Sequence, residues 1–456
     1  MSTSIVLCIL LLFSGLTANS EKEKLPGKSG NYAGYLERKP YVQHVTPTQL
    51  SILWETPIPE ECEITLTSKV TDYVKTLKSP KNKHHEVRFT GLAPKTEYDY
   101  SVKSIQGTYS GTVKTQVTGD EPFTFLVYGD NRYGHRVHQT IVNMMALEKA
   151  SFYINTGDLV DDGLVRKNWW RFFRIENILM KNIPLYPAVG NHENCFGVGE
   201  RLWRRYFALP LNGPQKEKAY FMDWGNSRFI FLNTNESLLG STQIKWFRDT
   251  LKETALNKTV RHIFVIVHQS PYTSGPHGPN TDLIDSGAVS DMRKFGVTMI
   301  FAGHDHIYER GRVDGLNYVI SGGGGAPIYY IRTHSKNSLI AEPVYHYIRV
   351  MVHGSTIEYK AMRSDGTLLD FFVTRKISDS KGRVSFKIIK EFNKDANESE
   401  PESDSSVMKP SLEEEKEVEQ IEKSEKKESL NILLVLIMIL LGLGGAFAVV
   451  LKIRSR

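Results

Sequence analysis

Six side chains able to hold a metal ion stand at the ends of apolar, strand-like runs in this 456-residue chain. Asp130 follows Phe125 to Gly129, and Asp158 follows Phe152 to Gly157. Asn191, with His192 and Glu193 after it, follows Tyr186 to Gly190. His268 ends the run from Ile263 to Val267, and His304 and His306 follow Met299 to Gly303. A buried apolar core has no use for unpaired carboxylates and amides, whose desolvation is costly. A set mixing carboxylate and amide oxygens with imidazole nitrogens suits Zn, Fe or Mn better than Ca or Mg alone. His304 and His306, two residues apart, share one face of an extended segment, which favours a ligand pair. Taken singly, Asp130 and Asp158 could be helix caps and His268 a satisfied core histidine. Six such groups in order make a site the better reading.

The elements that must position them change character along the chain. From about Tyr35 to Val117 the pattern is all-β: Gln49 to Glu55, Glu63 to Thr67 and Glu97 to Val102 alternate in the strand sense, punctuated by Pro, Gly and Asn. This suggests a fibronectin type III-like module. From Pro122 to about Arg375, strand-like runs alternate with helical spacing at Val137 to Leu147, Trp169 to Met180 and Gln243 to Leu256. That alternation predicts an α/β domain with a largely buried sheet. In such sheets sites gather at the carboxyl ends of strands, where all six groups fall. The run Gly322 to Gly325 reads as a tight loop after a strand, since it lacks the Lys and helix start of a nucleotide loop. Trp169 and Trp170 read as helix packing, and Glu309 with Arg310 as a structural salt bridge.

Gly129-Asp130, Gly157-Asp158, Gly190-Asn191-His192-Glu193, Val265-Ile266-Val267-His268 and Gly303-His304-Asp305-His306 resemble, in order, the five signature blocks of the calcineurin-like metallophosphoesterases. Within that superfamily the chain is similar to the purple acid phosphatases, which also carry a fibronectin-like domain in front. The resemblance spans about Tyr35 to Arg375. It implies a metallophosphoesterase β-sandwich flanked by helices and a binuclear metal centre, with divalent or mixed-valence ions of Fe, Zn or Mn. Two ions about 3.5–4 Å apart clamp a phosphate and generate hydroxide near neutral pH. By the family pattern Asp158 bridges the ions, Asp130 and His306 serve the first, and Asn191, His268 and His304 serve the second. The same resemblance implies that His192 contacts the phosphate and protonates the leaving oxygen, and that His277 in the following Gly-Pro-His-Gly loop faces substrate. The implied activity is hydrolysis of phosphate monoesters on a small molecule or a phosphoprotein. The alternatives are a phosphodiesterase or nucleotide pyrophosphatase, and a non-catalytic surface adhesion or receptor protein on a phosphatase fold.

Two positions depart from the pattern. Asp161 stands where the purple enzymes place a tyrosine, three residues after the bridging Asp. Arg132 stands where other superfamily members have histidine, two residues after the first Asp. The first metal therefore lacks a familiar ligand, which Asp161, His135 or His138 could replace. Arg132 could instead grip a phosphate oxygen, which its planar fork suits.

The ends speak to location. Ile5 to Leu16 is a short apolar run followed by Ala18, Ser20 and a charged stretch, the form of a signal peptide over residues 1–20. Ile432 to Leu451 carries no charge and is long enough to cross a bilayer. Lys452, Arg454 and Arg456 follow it, as on a cytoplasmic tail. A lipid-anchor signal also ends in an apolar tail, but such tails do not finish basic. The expected layout is a sandwich domain at 35–118, a metallophosphoesterase domain at 121–375, a charged stalk at 376–430, a transmembrane helix at 431–451 and a tail at 452–456. That layout is the one expected of a single-pass type I protein whose bulk is extracellular or lumenal. Sequons at Asn235, Asn257 and Asn397 fit that route. Cys62 and Cys195, all that remain after signal removal, could pair but do not make a disulfide scaffold. Glu391 to Leu430 holds fourteen acids against six bases. Taking that and the tail from the net charge of +6 leaves the remainder near +11, a balance that favours anionic substrates. No basic run is interleaved with aromatics, which argues against nucleic acid as a partner. With Asp161 in the tyrosine position, the purified protein is expected to prefer divalent metals and to show no strong visible charge-transfer band; absorption spectroscopy checks this.

Overall fold

The structure, a computed structural model, describes residues 37–195, 199–378 and 384–391. The first domain is all-β: β1 (Arg38–Gln43), β2 (Gln49–Ser68), β3 (Val74–Thr90), β4 (Glu97–Ser104) and β5 (Gly107–Lys114). Its organiser is the long β2, whose first part pairs with β1 and whose last part pairs with β4, while β3 runs beside it throughout. The pairing with β3 breaks between Glu55 and Cys62, beside Pro57 and Pro59, which cannot donate to a ladder.

The second domain follows as β6 (Phe123–Tyr128), α1 (His135–Leu147), β7 (Phe152–Asn155), α2 (Arg166–Met180), β8 (Leu185–Pro187), α3 (Asn191–Asn194), α4 (Glu200–Tyr206), β9 (Tyr220–Trp224), β10 (Ser227–Leu232), α5 (Thr242–Leu256), β11 (His262–Gln269), α6 (Thr281–Asp285) and α7 (Ala288–Lys294). It ends in β12 (Met299–Gly303), β13 (Tyr308–Val313), β14 (Leu316–Ser321), β15 (Ser338–Glu342), β16 (His346–His353), β17 (Thr356–Arg363), β18 (Leu368–Ser378) and β19 (Val384–Glu391). These strands form two seven-stranded sheets, in the orders β19-β18-β17-β16-β6-β7-β8 and β15-β13-β14-β12-β11-β10-β9. Phe125 of β6 joins them, its ring meeting Phe229 at 5.1 Å and Phe264 at 5.4 Å, both edge-on, a geometry aromatic quadrupoles favour. The parallel neighbours β6, β7 and β8 in one sheet and β10, β11 and β12 in the other aim their carboxyl ends at one region. The three helices expected from periodicity are α1, α2 and α5. Ser241 caps α5 by accepting from the Ile244 N–H at 3.2 Å.

Three expectations are corrected here. The domain does not stop at 375: β19 adds to β18 as an edge strand, so the sheet runs to Glu391 and takes the start of the supposed stalk. Glu309 and Arg310 do not pair, because consecutive strand residues face opposite ways. Arg310 instead holds Asp370 at 2.7 Å, and Glu309 accepts from the Tyr318 hydroxyl at 2.8 Å. Cys62 and Cys195 are both free, the first buried in the sandwich. Residues 1–20, 431–451 and 452–456 and the sequon at Asn397 lie outside the described residues, among which no helix is long and apolar enough to cross a membrane. Asn257 is exposed at the end of α5. The Asn235 amide nitrogen instead donates inward, to the Val189 carbonyl at 2.9 Å.

The sandwich is fixed to the second domain by charge as well as by packing. Glu55 is buried, and its carboxylate takes the Arg38 guanidinium on one oxygen and Arg205 of α4 on the other at 2.6 Å, with Arg166 of α2 at 4.0 Å. Arg38 also lies over the Tyr206 ring, 3.9 Å from its centroid. The Tyr41 and Tyr100 hydroxyls donate to the Tyr206 and Lys181 carbonyls, each at 2.7 Å. Burial alone pushes the Glu55 carboxyl up, but the three arginines outweigh it and hold it below its ordinary range. Its contribution to stability is thus complete above the unfolded carboxylate range near pH ~4.5 and is lost as the pH falls through the lower folded value. Glu55→Ala leaves the buried Arg38 unpaired and is expected to cost about 3 kcal/mol, read by denaturant unfolding at pH 7, with the gap to wild type closing in acid.

Candidate metal centre

All six sequence-expected ligands come together where the parallel strands end. Asp130 (after β6), Asp158 (after β7) and His304 (after β12) all have left-handed backbones, with φ of 56°, 57° and 68°. Non-glycine residues avoid that region unless their surroundings impose it, and such strain clusters at functional sites. Hydrogen bonds supply the imposition. The Asp130 N–H donates to the Gly157 carbonyl at 2.9 Å. The His304 N–H donates to the Asp130 carboxylate at 2.9 Å. The Asp158 N–H donates to Glu193 at 2.9 Å. Glycine is required beside two of these turns. A Cβ at Gly190 would sit 2.1 Å from Asp158 Oδ1, and one at Gly157, whose φ is +109°, would sit 2.4 Å from His268 Nδ1.

The histidines are turned for coordination. His268 Nδ1 donates to the Thr156 carbonyl at 2.9 Å, and His306 Nδ1 donates to the Pro327 carbonyl at 2.6 Å. Each bond fixes the tautomer and leaves Nε2 as a lone pair aimed inward. Burial lowers the pKa of all three imidazoles, to about 3 for His304 and about 4 for His306, so they stay neutral as ligands must. His268 Nε2 then lies 3.0 Å from Asn191 Oδ1 and 3.3 Å from Asp158 Oδ1. Three lone-pair atoms facing one another with no proton to share call for a cation. Asp158, His268 and His304 present their donor atoms within 4.8 Å of one another. On the other side, His306 Nε2 stands 3.7 Å from Asp130 Oδ1. The donor set of Asp158, His268 and His304 fits a metal ion, and Asp130 and His306 offer further donors beside it. Burial and the charge of Asp158 push the Asp130 carboxyl up, whereas His268, His192 and Arg132 outweigh burial at Asp158 and hold it down.

The groups offered to complete the first position separate. His138 faces away from the site: its Nε2 donates to Glu176 at 2.5 Å, in a buried cluster where the Tyr128 and Tyr153 hydroxyls bond the same carboxylate. His135 Nε2 accepts from Arg171 at 2.8 Å. Both are thereby corrected as ligand candidates, since helix α1 carries their side chains toward α2. Asp161 stays at the rim, 3.8 Å from Arg132. Arg132 itself reaches Asp158 Oδ2 at 3.3 Å. His192 donates from Nδ1 to the Asp161 carbonyl at 2.5 Å, which turns its Nε2 toward Asp158 Oδ2 at 3.7 Å. His277 is held by Asp305, Nδ1 to Oδ1 at 2.9 Å, and its ring lies 4.0 Å from that of His304.

Several supporting residues carried no role in the sequence reading. Glu193 accepts from the backbone N–H groups of Asp158, Val160 and Gly190, each at 2.9 Å, tying two ligand turns together. Burial and Asp158 push its carboxyl up to about 8, against the pull of those three donors. Asn131 bonds the Leu159 carbonyl and Asn155, so it braces the Asp130 turn on the Asp158 turn. The position of Glu193 in the Gly-Asn-His-Glu block was the available signal for it; nothing local marked Asn131.

Residues 123–308 match the family described as calcineurin-like phosphoesterase, and residues 38–120 match the fibronectin type III domain. The chain thus carries a calcineurin-like phosphoesterase domain with a fibronectin type III domain in front of it. Its relatives include purple acid phosphatases. Purple acid phosphatase 5 of Arabidopsis thaliana is 25% identical over 258 residues, covering 54% of this chain and 59% of that protein. An uncharacterized protein of Mycobacterium tuberculosis (strain H37Rv) is 24% identical over 265 residues, 50% of each chain. The chain thus spans about half the length of the curated relatives it matches. Among solved structures, a purple acid phosphatase from yellow lupin (Lupinus luteus) seeds superposes with a TM-score of 0.62 at 17% identity, covering 73% of each chain. PhoD superposes with a TM-score of 0.63 at 11% identity, covering 80% of this chain and 94% of that one. At these identities the likeness is one of fold.

Asn191→Ala removes one of three converging donors while leaving Asp130 and His306 untouched. It is expected to cost one ion per chain, as measured by elemental analysis of the purified protein, with little change in the ion held on the Asp130 side.

Proposed function

We propose that this chain is a membrane-anchored phosphatase acting outside the cytosol, which hydrolyses phosphate monoesters with two ions drawn from Fe, Zn or Mn. The convergence of His268 Nε2, Asn191 Oδ1 and Asp158 Oδ1 carries the reading. Ions bound there supply charge neutralisation for the phosphoryl group and acidify a water to serve as nucleophile. The protein's own groups do the rest. Asp158 stands between the two positions, with Asp130 and His306 for the first and Asn191, His268 and His304 for the second. His192 has its Nδ1 committed to the Asp161 carbonyl, which aims Nε2 at the site; as an imidazolium the ring carries on that nitrogen the proton for the leaving oxygen. Arg132, held between Asp158 and Asp161, has a planar fork suited to a phosphoryl oxygen. His277, pinned by Asp305, offers a second polar contact. Residues 1–20 and 431–456 support anchoring with the domains outside the cytosol, and the net positive balance of the remainder suits an anionic substrate.

One observation favours a second reading, a non-catalytic surface protein: neither His135 nor His138 completes the first metal position. The fixed seating of the sandwich through Glu55 weighs against a freely projecting adhesion module. The reading predicts that the purified protein holds two ions and cleaves a nitrophenyl phosphate monoester faster than the bis-nitrophenyl diester. His192→Ala should lower kcat by about 10²–10⁴-fold at unchanged metal content. Preference for the diester overturns the monoester assignment. Fewer than two ions with no turnover of either ester selects the second reading.

A further inference from the structure

Tyr329 was given no role by the sequence, yet it forms a wall of the metal centre. Its backbone N–H donates to the His306 carbonyl at 3.2 Å, so the two side chains spring from adjoining backbone. Their rings stack, 4.0 Å between centroids and 13° between planes. His306 Nδ1 is bonded to the Pro327 carbonyl, two residues before Tyr329, so its Nε2 points away from that loop and into the site. The phenol ring therefore covers one face of His306, beside the position assigned to the first ion. The opposite neighbour agrees: the His277 ring meets Tyr329 edge-on at 5.2 Å. Tyr329 thus lies between a metal-facing histidine and a substrate-facing one. The charges of Arg132, Asp130, Asp158 and Asp305 all act on its hydroxyl. Among the described residues no hydrogen-bond partner engages that hydroxyl, although the side chain is half-buried.

An O–H group in the field of the site's carboxylates and Arg132, beside His306 and His277 and without a partner, has a ligand as its natural acceptor. We propose that Tyr329 is a substrate-contacting residue whose hydroxyl donates a hydrogen bond to a phosphoryl oxygen of the bound ester. The inference rests on the phosphatase reading of the site. It concerns binding of the phosphoryl group itself, so inorganic phosphate is a sufficient probe. A hydrogen bond to a charged acceptor is one of the stronger kinds.

The test is calorimetric titration of inorganic phosphate into the full-length, zinc-loaded protein in detergent, for wild type, Tyr329→Phe and Tyr330→Phe. The phenylalanine at 329 keeps the stack on His306 and removes only the hydroxyl. Tyr330, 87% exposed and next in sequence, controls for loop disturbance. Expected is a loss of about tenfold or more in phosphate affinity for Tyr329→Phe, none for Tyr330→Phe, and two ions per chain in all three. Equal phosphate affinity in wild type and Tyr329→Phe overturns the inference while leaving the metal centre standing. Loss of an ion in Tyr329→Phe also overturns it, since the hydroxyl would then serve the metal. A wild-type protein that takes neither two ions nor phosphate overturns the phosphatase reading beneath it.

Discussion

The arrangement depends on one electrostatic constraint: lone pairs of Asp158, Asn191 and His268 are held face to face. Such groups repel unless a cation lies among them, so the fold must spend stability elsewhere to keep them in place. The outlay is visible in three strained residues and in the hydrogen bonds that impose the strain. Glu193 is central to this. Buried in a short helix, it gathers backbone N–H groups from the Asp158 turn and from the Gly190 turn. The Thr156 and Pro327 carbonyls do the same work for imidazoles, setting which nitrogen faces inward.

Much of this was legible in the sequence because it is written in short, local units. A strand followed by Gly-Asp fixes both the direction of a side chain and the tight turn that exposes it. Two such units and three further blocks at strand ends, in order, led to the α/β domain, the six converging groups and the family that the comparisons then returned. What stayed hidden depends on long-range geometry. His138 lies eight residues after Asp130 and looked available, but the twist of α1 sends it to Glu176 on α2, a partner no spacing rule announces. Tyr329 gives no local signal, because its stack on His306 exists only after a loop folds back across the site. The run on to Glu391 was missed because β19 is an edge strand secured by its pairing with β18, which no local pattern announces.

The departures at Asp161 and Arg132 become intelligible together. The two side chains face each other at the rim, and Arg132 also leans on Asp158. A guanidinium in that place adds positive charge where the resembled enzymes supply a neutral or anionic ligand. Part of the compensation for the Asp130 and Asp158 carboxylates is therefore covalently attached to the protein. The buried Glu55 solves a related problem at the domain boundary, where its arginines are drawn from both sides.

The left-handed turns at Asp130, Asp158 and His304 have a thermodynamic consequence. Each is held by backbone hydrogen bonds and by glycines that leave room for nothing larger, so its shape is settled when the chain folds. In small metal-dependent domains the opposite holds: ligands come together only as the ion arrives, and removing it unfolds the chain. Here the cost of assembling the donors is met by two large sheets and their aromatic core. The free energy of capturing the proposed ions would then be available almost entirely as affinity, and the choice of ion would become a matter of which cation suits a cage already made.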